Sequence, residues 1–277
     1  MDVHRFDSTR ELLNAVGSYL ECHEAEHNLM LGLLNRPTPE GPVLLASVND
    51  DEGSVVGVAV RTPPRGIILS RQEQPHECAS ALVAWLRGVG EEVPGCIGPS
   101  AETRVFTELW AGALGTSASL SASQRVFQAT RVTPLTPASG LLRRAARDDE
   151  RLLAHWTHAF SAEADPEAAD SDPLAATARR ISEETLWVWD VDGSPVSMAN
   201  SSRETRNGGT IGIVYTPDEL RGRGYATACV HSLTAQLLAK KRFVALYADL
   251  ANPTSTKIYS RIGYQPVGDS SMWTFGE

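Results

Sequence analysis

Apolar residues recur at helical spacing from Leu12 to Leu34, and a short apolar run follows from Val43 to Val48. The first pattern predicts helix and the second a strand. The turn Asp50-Asp51-Glu52-Gly53 and a second strand-like run from Val55 to Val60 complete a hairpin. A short apolar run at Ile67 to Leu69 follows. Then come helices around Cys78 to Leu86 and Val105 to Leu114, and a strand around Val126 to Val132. After residue 139 the same order returns. Helices are predicted at Asp149 to Ala162 and Leu174 to Ile181, and strands at Leu186 to Val191 and Pro195 to Asn200 across the turn Asp192-Gly193. A strand at Thr210 to Tyr215, a helix at Gly222 to Ala239, a strand at Phe243 to Leu250, a helix at Pro253 to Ile262 and a strand near Met272 to Phe275 complete the chain.

Between the two series, Thr133-Pro134-Leu135-Thr136-Pro137-Ala138-Ser139-Gly140 interrupts the periodicity with two prolines and a glycine. It divides the chain into residues 1–138 and 139–277. The halves share an element order but no clear residue-by-residue repeat, so duplication of one fold is the expectation.

Composition narrows the functional classes. The chain has 277 residues, 42% of them hydrophobic, which is enough to build two ordinary cores. A formal charge of -9 disfavours nucleic acid and anionic membrane surfaces as partners. Cys22, Cys78, Cys96 and Cys229 form no C-x-x-C pair and read as reduced thiols. With no basic-then-apolar start and no membrane-length apolar run, the sequence reads as cytoplasmic and unprocessed.

The most informative stretch is Ile211-Gly212-Ile213-Val214-Tyr215-Thr216-Pro217-Asp218-Glu219-Leu220-Arg221-Gly222-Arg223-Gly224-Tyr225-Ala226. An apolar strand enters a polar turn and the turn enters a helix. Gly222, Gly224 and Ala226 keep that helix entrance free of bulk, so a diphosphate can approach backbone N–H groups where the helix dipole favours negative charge. Arg221 and Arg223 add positive charge. Downstream, Asn252-Pro253 is a helix start, Tyr259 lies one to two turns into the helix, and Gly263 can close it. A helix of about 18 residues rises about 27 Å and a strand of about 8 residues returns about 26 Å, which brings Asn252 back to the end of the sheet carrying the phosphate loop.

These two motifs, in this order, resemble the acyl-CoA signature of the GNAT superfamily over most of residues 139–277. The resemblance implies an α/β architecture of two GNAT-like domains in tandem. Each would be a mixed, mostly antiparallel sheet flanked by helices, with a splayed parallel strand pair at the CoA site of the second. It implies that Ile213, Val214 and Tyr215 offer strand groups to the pantetheine arm, and that Arg221, Gly222, Arg223, Gly224, Tyr225, Ala226 and Thr227 surround the pyrophosphate. Asn252 would bind the arm again and Tyr259 would protonate the leaving thiolate. The implied activity is transfer of acetyl from acetyl-CoA to a primary amine, on a small molecule or peptide, by direct attack and without a metal. Thr210 to Tyr215 contains no acid to act as general base, leaving water, Asp249, Glu204 or the first half as candidates. That gap keeps open a non-catalytic acyl-CoA sensor or interaction module.

The first half lacks the glycines of the second half's phosphate loop. Its corresponding run, Ile67 through Pro75, has none after Gly66 and cannot form the same anion nest, so the half resembles a degenerate GNAT domain. His23-Glu24-Ala25-Glu26-His27 matches H-E-x-x-H, which on a helix would place two imidazoles on one face for zinc. No third ligand follows in Asn28 to Gly32, Glu40 lies in a Pro-rich loop, and an exposed polar helix face is the alternative. Lys240-Lys241-Arg242 reads as a solvated helix end or a CoA-steering patch. The acids Glu163, Asp165, Glu167, Asp170 and Asp172 read as a solubilising loop or a cation-attracting rim at the acceptor entrance.

Overall fold

The computed structural model describes residues 1–35, 44–136, 138–164 and 172–276. The early elements are β1 (Asp2–Arg5), α1 (Thr9–Glu21), α2 (Asn28–Leu34), β2 (Leu44–Asn49), β3 (Val55–Arg61) and β4 (Ile67–Leu69). They continue with α3 (Pro75–Gly88), β5 (Gly95–Pro99), α4 (Ser100–Leu114) and β6 (Ser117–Ala129). The later elements are β7 (Leu141–Arg144), α5 (Glu150–Ala164), α6 (Pro173–Ser182), β8 (Leu186–Val191), β9 (Ser194–Ser202) and β10 (Gly208–Tyr215). The last four are α7 (Tyr225–Leu238), β11 (Phe243–Asp249), α8 (Pro253–Ile262) and β12 (Gln265–Gly276). Among the described residues no helix is long and apolar enough to cross a membrane.

By contacts the chain divides into two compact units, one of Met1–Val126 with Val267–Glu277 and one of Phe127–Pro266. The terminal strand therefore joins the first unit. In that unit the strand order is β1-β2-β3-β4-β5-β12-β6. β4 and β5 run parallel, and β12 pairs antiparallel with β5 from Ser270↔Pro99 to Thr274↔Gly95. Leu82, Leu86, Phe106 and Trp110 of α3 and α4 pack on one side of this sheet, and Leu12, Val16, Leu20 and Met30 form a separate cluster with Val58 and Val60.

The H-E-x-x-H residues are not on a helix. Residues 22–27 form turns between α1 and α2, so the helical spacing that would align two imidazoles does not exist. His27 is 3% exposed. Its Nδ1 bonds the Leu20 carbonyl at 2.9 Å and its Nε2 accepts the Arg71 N–H at 2.9 Å, which occupies both ring nitrogens with backbone. Among the described residues no group of three His, Cys, Asp or Glu side chains comes together as a metal site. Glu40 lies outside the described residues.

In the second unit the order runs from the end of β6 through β11, β10, β9 and β8 to β7. α7 and α8 cover one face, where Leu233, Ile262 and Tyr264 pack against Ile211, Val244 and Leu246. α5 covers the other, where Leu153 and Trp156 meet Leu186, Val188 and Met198. The segment after β6, expected as the domain boundary, is tied into this unit. Thr133 N–H donates to the Ile262 carbonyl at 2.7 Å, Trp189 Nε1 donates to the Ser139 carbonyl at 3.0 Å, and Leu135 and Ala138 pack on the core.

Candidate functional site

β10 and β11 are parallel neighbours only from Gly208↔Phe243 to Ile211↔Leu246. Beyond that point their ladder stops. On its other side β10 shifts register against β9 between Gly212 and Tyr215, and Ile213 takes a φ of +49°. A β-branched residue in the left-handed region is uncommon and marks a bulge that turns the strand away from its partner. Residues 212–215 thus keep backbone donors and acceptors on an edge that β11 does not cover.

The chain leaves that edge through a short 3₁₀ turn at Asp218–Leu220 and enters α7. Gly222 and Gly224 have φ of +77° and +81°, and a Cβ added at Gly222 would meet nothing within 4 Å. The glycines are therefore needed for their backbone conformation, more than for space. Gly224 is the N-cap residue of α7 and no side chain caps the helix. The first intrahelical bond is Ala228 N–H to the Gly224 carbonyl, so the N–H groups of Tyr225, Ala226 and Thr227 are the unsatisfied donors of the first turn.

A cavity of about 460 Å³ lies at this point. Val214 and Tyr215 line it from the strand, Arg221, Gly222 and Gly224 from the loop, and Tyr225, Ala226 and Thr227 from the start of α7. Asn252 and Tyr259 close it from α8, together with Thr254, Ser255 and Ile258. Ile213 sits behind this wall, its side chain packed towards Trp156. Arg223 is exposed and donates to the Glu219 carbonyl at 3.1 Å. A larger cavity of about 900 Å³ in the first unit lies among Arg61, Trp110 and Phe275. Neither a helix start nor a parted strand pair borders it.

Two residues in the second-unit cavity are already engaged. Asn252 caps α8 by accepting the Ser255 N–H at 3.1 Å. Arg221 donates to both Glu163 carboxylate oxygens at 2.9 and 3.1 Å, to the Thr216 carbonyl at 2.9 Å, and pairs with Asp218 at 2.9 Å. Glu163 also lines the cavity. Glu163 stands in an acidic stretch of the sequence where nothing points to this partner, because 58 residues separate the two and no local spacing signals the pair.

Tyr259 is 8% exposed, with the rings of Phe127 and Tyr264 at 6.3 and 6.1 Å. Burial alone pushes its pKa up to about 12, so the phenol stays protonated at neutral pH. The other candidate acids lie elsewhere. Glu204 pairs with Lys241 at 3.2 Å, and Asp249 accepts the Ala251 N–H at 2.8 Å in the turn after β11. Lys241, just beyond the end of α7, also donates to the Thr205 carbonyl in the connection from β9 to β10, and Lys240, Lys241 and Arg242 do not line the cavity. Asp172 caps α6, while Asp165, Glu167 and Asp170 lie outside the described residues.

The FR47-like protein family matches residues 191–274, the span from the end of β8 to β12. A GNAT-family acetyltransferase from Colwellia psychrerythraea superposes with a TM-score of 0.57 at 13% identity, covering 100% of both chains. A GCN5-related N-acetyltransferase from Sphaerobacter thermophilus gives 0.62 at 16% identity over 98% of this chain and 94% of its own. The chain has a GNAT superfamily fold. A tandem GNAT protein from the clavulanic acid biosynthesis pathway adds a likeness of 0.55 at 12% identity over 99% and 97%. A search of curated proteins by sequence finds no match. At these identities the GNAT likeness is one of fold, and activity has to be argued from the site.

Proposed function

We propose that the second unit binds acetyl-CoA in the cavity between β10, α7 and α8 and transfers its acetyl group to a primary amine. The observation that carries this reading is the junction of an uncovered strand edge with an uncapped helix start whose two glycines are left-handed. Pantetheine amides would pair with the edge at Ile213 to Tyr215 as an added strand would, and the diphosphate would meet the N–H groups from Gly222 to Thr227. Asn252 and Tyr259 would flank the arm from α8.

The amine nitrogen would attack the thioester carbonyl, forming the C–N bond, and collapse of the tetrahedral intermediate would break the C–S bond. The thiolate would take a proton from Tyr259, and the proton lost by nitrogen would pass to water. A non-catalytic acyl-CoA sensor is the second reading, favoured by the absence of an acid on Thr210 to Tyr215. Release of free CoA thiol from acetyl-CoA with a panel of primary amines separates the two. Amine-dependent release supports the enzyme; tight acetyl-CoA binding with no release for any amine supports the sensor.

A further inference from the structure

The cavity of about 900 Å³ lies wholly within the first unit. Its walls come from the segments before β4 and β5, the ends of α3 and α4, and the end of β12. β4 and β5 run parallel, so the cavity sits at their N-terminal ends. The counterpart of the acyl-CoA site, where these strands lead into α3 and α4, is at the opposite end. The cavity is therefore not a remnant of that site.

Much of its wall is apolar and aromatic. Trp110 and Phe275 stand 6.3 Å apart with their planes tilted by 32°, and the fully buried Phe106 packs on both rings at 5.8 and 6.4 Å. Tilted and offset arrangements of this kind accept a further ring. Two nitrogens in the same wall lack partners among the described residues. Arg61 is 9% exposed; its Nε donates to the Arg65 carbonyl at 3.0 Å and its Nη1 to Glu91, while Nη2 donates to nothing. Trp110 is 2% exposed and its Nε1 likewise donates to nothing. Both nitrogens keep accessible surface, in contrast to Trp273 Nε1 and Thr116 Oγ1, which are unpartnered and sealed. Arg61 and Trp110 line the cavity, so what surface these nearly buried side chains keep opens into it. Buried N–H groups normally find an acceptor, and here it has to come from the cavity's contents.

Charge narrows the class of guest. The charged side chains of the wall are Arg61, Arg87, Glu91 and Glu92, which cancel. Arg61 is already shared with Glu91, and α3 and α4 both end at the cavity, where helix carbonyls disfavour an anion. A carboxylate is thus poorly served, and an ammonium group has no acceptor to offer the two donors. We propose that this cavity is a second ligand site, for an uncharged aromatic molecule whose carbonyl oxygen meets the donors of Arg61 and Trp110 while its ring packs on Phe275. The site is independent of the acyl-transfer reading.

Fluorine NMR on the full chain tests this, with N-(4-fluorobenzyl)acetamide as probe and 4-fluorobenzylamine and 4-fluorophenylacetate as its charged congeners. The acetamide should bind wild type with a dissociation constant of about 1 mM or below, at least about fivefold tighter than either congener. Saturating acetyl-CoA should leave that constant within about twofold. Arg61→Lys keeps a cation for Glu91 and removes Nη2, and Trp110→Phe keeps a ring and removes the indole N–H. Each should weaken the acetamide about five- to tenfold. The assignment is overturned if the acetamide does not bind wild type, if a charged congener binds as tightly, if acetyl-CoA displaces it, or if both variants bind like wild type. Should neither variant fold, Leu114→Glu decides: Leu114 is 46% exposed at the end of α4, and a carboxylate in the wall there should weaken the acetamide to a similar degree. Unchanged binding in that variant would equally overturn the site.

Discussion

Tyr259 and His27 show how burial sets what a side chain can do. Tyr259 faces the cavity with its phenol held protonated, so its hydroxyl has a proton to donate. Tyr259→Phe keeps the ring and should lower kcat by roughly 10² with acetyl-CoA Kd unchanged. Steady-state rates beside calorimetry check this, and an unchanged kcat would make Tyr259 a packing residue. His27 is held neutral by burial, with a pKa lowered to about 4. As pH falls below about 6.5 the unfolded chain binds a proton that the folded chain refuses, so stability declines from pH 6.5 towards pH 4 by up to about 3 kcal/mol. Glu102, raised by burial, opposes this on the carboxylate side. Melting temperature should therefore fall between pH 7 and pH 4.5, and His27→Gln should flatten the fall. The sequence offered His27 as a zinc ligand or as part of an exposed polar helix face, because a local motif reports spacing. It does not report that Leu20 and Arg71 would take both nitrogens.

At the scale of elements, β10, the glycine turn and α8 were legible because each has a local signature: apolar run, paired glycines, Asn-Pro start. β8 and α8 fall at the limits the pattern predicts. β1, β5 and β7 escaped notice since each has only four or five residues, and β5 reads Gly-Cys-Ile-Gly-Pro, the composition of a turn. β12 was seen for four residues of its twelve because its first half is polar and gains its partners from distant strands. The link from α5 to the glycine turn was equally illegible, yet it bears on function. Glu163 occupies Arg221 with the kind of oxygen pair a diphosphate would offer. Acetyl-CoA would compete with this exposed pair, so Glu163→Gln should tighten acetyl-CoA binding by roughly three- to tenfold. An unchanged or weaker Kd in calorimetry would mean that Arg221 serves only to hold the loop to α5.

For the whole molecule, the central expectation is one acetyl-CoA site in a chain that repeats one element order. The first unit has the topological counterpart of the site, where parallel β4 and β5 lead into α3 and α4. There the strand-end donors are already spent: His27 accepts the Arg71 N–H, and the Glu102 carboxylate accepts the Gln72 N–H at 2.9 Å. α3 begins with Gln74 and Pro75 in place of left-handed glycines. In the second unit no side chain among the described residues caps the start of α7 at Gly224. Titration of the intact protein with acetyl-CoA by calorimetry tests this most directly. One site per chain is expected, lost in Gly224→Glu, which puts a side chain on a left-handed residue and a carboxylate where the diphosphate should lie. Two sites per chain, no binding, or binding that survives Gly224→Glu would contradict it.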